Sequence, residues 1–244
     1  MRKLIVAAVV LASLAAPPSA AADDYRCVGI VVRPVVDNVI VPSGADCFLD
    51  GTHVTGNVTV EQDADILVEL AYVAGTAKLA RNATFESFGT EIVGDVACEG
   101  CFFEDVLSSM LRGNVKIKQE REGSYIQDST IHGNVSIEES SGGNAGFQLQ
   151  GNTIGGNLTL TKSSGEISIG GNTVRGNLQL VENAAAATIA DNVVTGDLQL
   201  FKTRGPSAVL TNRIRQNLQC GENQPRTVGG GNSAAGKQGQ CRLL

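Results

Sequence analysis

The chain of 244 residues has no tryptophan, two methionines, two histidines and only six prolines, and its aromatic content is 4 %. Charged residues stay at 18 %. That balance excludes a coiled coil, which is rich in Glu and Lys and poor in glycine. Scarce proline leaves backbone N–H donors available for strand ladders, and the absence of tryptophan suits a narrow interior. Glycine is in excess at 29 residues, without the every-third-residue spacing of collagen. With 42 % hydrophobic residues, the chain carries more Val, Ile and Leu than a disordered polypeptide. What remains is a β-rich protein with many tight corners and an aliphatic core.

Long apolar runs are equally scarce. Leu4 to Ala15 follows the positive Arg2 and Lys3 and precedes Ala20-Ala21-Ala22, a small-residue cleavage site before Asp23. This reads as an export signal over residues 1–22, leaving one domain over 23–244. The run is shorter than the roughly 20 residues a spanning helix needs. No membrane span is expected, and the protein is expected outside the cell or at its surface. Removing Arg2 and Lys3 leaves 17 cations against 25 carboxylates, a net charge of −8. A nucleic-acid partner would demand the opposite sign clustered on one face and is not expected.

A phrase repeats through the rest of the chain: Gly56-Asn57-Val58-Thr59-Val60, Gly113-Asn114-Val115-Lys116-Ile117, Gly156-Asn157-Leu158-Thr159-Leu160, Gly176-Asn177-Leu178-Gln179-Leu180. With Gly133, Gly196 and weaker copies at Gly75, Gly94 and Gln216, the spacing stays at 19 or 20 residues, with one coil of 23. Aliphatic residues fall two and four places after the corner, and again two before it, as at Val54, Ile92, Ile154 and Ile214. A third apolar site recurs at Ile169, Ile189 and Val209. Alternation at period two places these on one face. One unit cannot bury that face alone, and stacking the units does. The pattern predicts an all-β parallel β-solenoid of about 10–11 coils, each with two or three short strands, forming a rod ~50 Å long.

Four residues before successive corners stand Asn152, Asn172, Asn192, Asn212 and Asn232, preceded in the same column by Ser129, Ser109 and Thr90. Stacked asparagines can bond side chain to side chain and to the next coil's backbone, and they tolerate the left-handed conformation a sharp corner requires. A row of sugar-binding amides is the other reading of this column. The asparagine stack and the coil of about 20 residues resemble the single-stranded, right-handed parallel β-helix of the pectin-lyase-like group. The opening Asp37 to Cys47 and the close Asn217-Leu218-Gln219-Cys220 with Gly239-Gln240-Cys241 are similar to small secreted bacterial β-helix proteins of unassigned function. The resemblance implies fold and export and carries no established activity.

Six cysteines in an exported chain are expected to be oxidised. Cys27 and Cys47 are 20 residues apart, Cys220 and Cys241 are 21 apart, and each separation is one coil. Neighbouring coils bring Cα atoms to disulfide distance, so both pairs are predicted to staple the ends of the rod. Cys98 and Cys101 are read as a local disulfide across a turn, with metal or redox use as the alternative. A zinc site would need two more ligands, and His53 and His132 lie several registers apart. No metal and no cofactor are expected.

Polysaccharide lyases of this architecture need clustered acidic calcium ligands, and hydrolases need grouped aspartates with a histidine. The outward column Thr59, Lys78, Ala97, Lys116, Ser136 and its neighbour Asn57, Thr76, Asp95, Asn114 assemble no such cluster. The expectation is a non-enzymatic structural or surface-interaction protein, with a polysaccharide-binding or polysaccharide-degrading β-helix as the alternative. Asn177, Gln179, Gln199, Asn217 and Gln219 form an amide-rich strip that is the candidate contact for carbohydrate or another cell-surface polymer. Two irregular stretches, Glu99 to Leu111 and Glu138 to Phe147, are expected as loops where a solenoid can bind.

Overall fold

The computed structural model describes residues 24–32 and 37–244. The export signal expected at residues 1–22 lies outside the described residues. Regular structure among the described residues is entirely β. Parallel strands stack into three sheets of 12, 11 and 9 strands. They make a β-solenoid of about 10 turns, with coils about 20 residues apart.

Each coil visits the three sheets in turn. Sheet 1 takes the strand after the glycine corner, such as Val58–Val60 or Leu178–Val181. Sheet 2 takes the next, such as Asp65–Glu69 or Ala187–Ala190. Sheet 3 holds two-residue strands such as Tyr72–Val73 and Val193–Val194, just before the next corner. Register is kept one coil on, so Leu158, Leu178, Leu198 and Leu218 pair in sequence. The columns anticipated from the repeat line the interior: Leu160, Leu180, Ile169, Ile189, Val174 and Val194 are at most 1 % exposed. Burying each such side chain contributes ~2 kcal/mol, and in a stack that burial exists only because the next coil covers it.

The glycine corners are set by close approach. A Cβ on Gly75 would stand 2.5 Å from both the Gly56 carbonyl and Asn57 Oδ1. That proximity lets Gly75 N–H donate to Gly56 O at 2.9 Å and Gly94 N–H to Gly75 O at 3.0 Å.

The other two corners are left-handed. Among the described residues thirteen non-glycine positions have positive φ, and most precede a side chain that turns inward. Gln119, Glu139, Lys162, Glu182, Lys202 and Glu222 precede Glu120, Ser140, Ser163, Asn183, Thr203 and Asn223. Ser108, Asp128, Gly151, Gly171, Asp191, Thr211 and Gly231 precede the Ser109 to Asn232 column. The left-handed conformation expected of the asparagines therefore belongs to the residue before each of them. It swings the chain so that the next side chain enters the interior.

There the asparagines form the expected ladder. Asn172 Nδ2 donates to Leu149 O at 2.7 Å and to Asn192 Oδ1 at 3.0 Å, and its N–H donates to the same oxygen at 3.0 Å. Asn192 repeats the pattern onto Ile169 O and Asn212 Oδ1. All five asparagines are buried. A second buried polar column, Glu120 to Asn223, lines the corner between sheets 1 and 2. Ser163 N–H donates to Asn183 Oδ1 and Thr203 N–H to Asn223 Oδ1, both at 2.9 Å.

The three cysteine pairs have Cα separations of 5.6 Å for Cys27–Cys47, 5.7 Å for Cys98–Cys101 and 5.1 Å for Cys220–Cys241. All three are bonded as expected, with no free cysteine. The Glu99–Leu111 irregularity is largely strand: Phe102–Leu107 pairs with Thr84–Phe88 through a register shift that passes over Glu104. The extra residues of the long coil form a turn in which Gly142 lies against the Phe147 ring.

Candidate functional site

The five residues of the amide strip are brought together. Gln179, Gln199 and Gln219 stand in register on three adjacent strands of sheet 1. Their amides are bonded to one another. Gln179 Nε2 donates to Gln199 Oε1 at 2.8 Å, and Gln199 Nε2 donates to Gln219 Oε1 at 3.1 Å.

Asn177 and Asn217 belong to a third ladder, at the glycine corner. Asp197 N–H donates to Asn177 Oδ1 and Asn217 N–H to Asp197 Oδ1, both at 2.8 Å. The same bond recurs from Asn57 onto Asn38 and from Asn134 onto Asn114. Here the later coil donates to the earlier one, whereas in the interior ladder the earlier coil donates to the later.

An acidic face stands on sheet 2 of the N-terminal half, outside the columns in which acids were sought. Asp46 pairs with Asp65, Asp50 with Glu69, and Glu86 with Asp105, each on adjacent strands. Burial raises the Asp105 carboxyl above its ordinary value. The signal was the 19-residue separation within each pair, read along the second strand of the coil. Ile30, Phe48 and Leu67 run up the middle of this face, beside a shallow depression of about 440 Å³. Among the described residues no three His, Cys, Asp or Glu side chains converge to hold a metal. His53 sits on sheet 3 against Tyr72, with ring centroids 4.7 Å apart, and so is on a different sheet from the acid pairs.

No protein-family model, curated protein or solved structure matches the chain.

Two other places hold uncommitted polar chemistry. At the corner after sheet 3, Gly155 leaves a notch of about 360 Å³ between His132 and Arg175, flanked by Thr130 and Thr153. No hydrogen bond or ion pair within the described residues engages these four side chains. Glu120, 1 % exposed, accepts from the Glu122 and Gly123 N–H groups through Oε1, while Oε2 is without a partner. Burial pushes this carboxyl above its ordinary value, against the lowering effect of those backbone donors.

Proposed function

We propose that this protein is an exported, non-enzymatic scaffold: a rigid, disulfide-stapled rod whose polar sheet faces meet carbohydrate or another surface polymer. The observation that carries this reading is the bonding of polar side chains from coil to coil. Three ladders run along the rod and the Gln179–Gln199–Gln219 amides close on each other, so the surface is built for shape persistence. Three disulfides support an oxidising compartment. The resemblance to pectin-lyase-like and bacterial β-helices supports the architecture and export and lends no reaction.

Polysaccharide binding is the second reading, favoured by the notch. His132, Arg175, Thr130 and Thr153 offer donors that nothing in the described chain engages. A glycan array run with a turnover screen on acidic polysaccharides tests both. The scaffold reading expects no turnover, and Asn177→Ala with Gln199→Ala should abolish binding if the amide strip is the contact and leave it intact if the strip is only solvated surface. Turnover would overturn that reading. Binding lost on Arg175→Ala, with the fold retained, would establish the notch as the contact.

A further inference from the structure

The rod is electrically polar along its length. Residues 37–70, the first full coils, contain seven carboxylates and no lysine or arginine. Residues 201–244, the last coils, contain seven cations against Glu222 alone, a net charge of +6. Asp46, Asp50 and Asp65 are exposed at one end, and Arg213, Arg226 and Arg242 at the other.

Both ends also expose apolar side chains. Val28, Ile30 and Val32 are 69–71 % exposed beside the first strand of sheet 2. Val228 and Leu243 are 62 % and 84 % exposed at the other end. Among the described residues the strands Gly29–Val31 and Val228–Gly230 are the two edges of sheet 2, each paired on one side only. Ile30 and Val228 begin and end the same outward column. An edge strand with exposed apolar side chains is a template for another chain, and large apolar groups at an exposed rim mark interaction surfaces.

We propose that the rod associates head to tail with a second copy, the acidic N-terminal end of one molecule against the basic C-terminal end of the next. Two like ends repel, so the contact is heterologous, and a heterologous contact that does not close on itself propagates into a filament. Val228 of one copy then lies where Ile30 of the next continues its column. The C-terminal residue Leu244 packs on the core, so contact is made through the sheet edge and the charged rim. This deepens the scaffold reading and rests on it. The two fail separately, since turnover of a glycan sinks the scaffold and a strictly monomeric rod sinks the assembly.

Sedimentation velocity and small-angle scattering on the oxidised protein provide the test. At about 20 mM salt the Debye length exceeds ~20 Å, and at about 0.5 M it falls below ~5 Å. The weight-average mass should at least double at low salt, with the maximum dimension growing in step, and return to monomer at high salt. Arg213→Glu, Arg226→Glu and Arg242→Glu together should abolish association, as should Asp46→Lys, Asp50→Lys and Asp65→Lys together. Mixing the two triple variants should restore it, because one is then acidic at both ends and the other basic. A monomer at low salt, association insensitive to salt, oligomers no longer than one rod, or no association in the mixture would each overturn the proposal.

Discussion

The two halves of the rod close the same corners with different chemistry. In the N-terminal coils the inward positions are Thr52, Ala64, Ala71 and Ala83, all buried. In the C-terminal coils the equivalent positions are Asn172, Asn183, Asn192 and Asn212. Ala64 leads directly into the strand Asp65–Glu69, whereas Asn183 is followed by Ala184, Ala185 and Ala186 before the strand Ala187–Ala190. An amide in the corner occupies volume and bonds the carbonyl of the coil below, as Asn183 Nδ2 does to Leu160 O, while the period of 20 is kept whether this corner carries Ser163, Asn183 or Thr203. A small apolar residue lets the turn close tightly and leaves cohesion to packing. One fold thus tolerates both solutions: hydroxyls and amides bond coil to coil, as Ser109 N–H does onto Ser129 Oγ and Asn172 N–H onto Asn192 Oδ1, whereas an alanine corner offers no side-chain acceptor.

The sharpest way to break this contrast is to remove one inward polar side chain from each half. Asn192→Ala strands Ile169 O, Asn172 N–H and one bond to Asn212. At 1–3 kcal/mol for each buried group left unsatisfied, the loss should be about 3 kcal/mol or more. Thr90→Ala, whose hydroxyl bonds Val68 O at 3.0 Å, should cost about 1 kcal/mol. Denaturant titration of both variants measures the difference, and equal losses would end the distinction.

Next in size is Leu70, exposed and left-handed with φ of 49°, where the coils on either side use Gly51 and Gly89 in the equivalent place. Leu70→Gly should stabilise by about 1 kcal/mol by relieving the Cβ–carbonyl contact. Thermal melting reads this, and a destabilised variant would show that the Leu70 side chain makes contacts worth more than its strain.

The smallest effect is expected at the junction of the two solutions, where Glu120 stands between Cys101 and Ser140. Its folded carboxyl is raised by burial, so its contribution to stability is full below the unfolded carboxylate range and is lost as pH rises through the folded value. Glu120→Gln should therefore melt higher than the parent at pH 8, with the advantage shrinking towards pH 4. A variant equally destabilised at every pH would instead mean that the carboxylate itself holds the Glu122–Gly123 turn.

The fold was legible because its signals repeat one coil apart in the same residue type. The corner glycines, the aliphatic columns and Asn152 to Asn232 all do so, and the cysteine pairs follow from the same spacing. The second inward column was hidden because its chemistry changes from Ala64, Ala83 and Cys101 through Glu120 to Ser163 and Asn183. Its distance from the glycine also slips from eight residues at Ala64 to seven at Asn183. The acid pairs of sheet 2 are not legible from the glycine phrase because they lie on the second strand of the coil, beyond a turn whose length varies from coil to coil. The amide strip was visible as composition, but the bonds between Gln179, Gln199 and Gln219 depend on side chains leaning along the axis, which no spacing encodes.

The opposed senses of the ladders bear on how such a rod can stop. At the glycine corner each coil donates backwards onto the one before it, so that row leaves no donor waiting at its C-terminal end. The inward rows point forward, and each coil holds a backbone donor whose acceptor is supplied by the coil after it. Growth by coils therefore always leaves a live end. Gln240 is the terminator. Its Oε1 accepts from Asn223 N–H at 3.1 Å and its Nε2 donates to Asn223 O at 3.0 Å, and the adjacent Cys241 is tied to Cys220. A glutamine one methylene longer than the repeating asparagine reaches back across the final turn and quenches the last donor of its row, in the way a chain stopper ends a polymer.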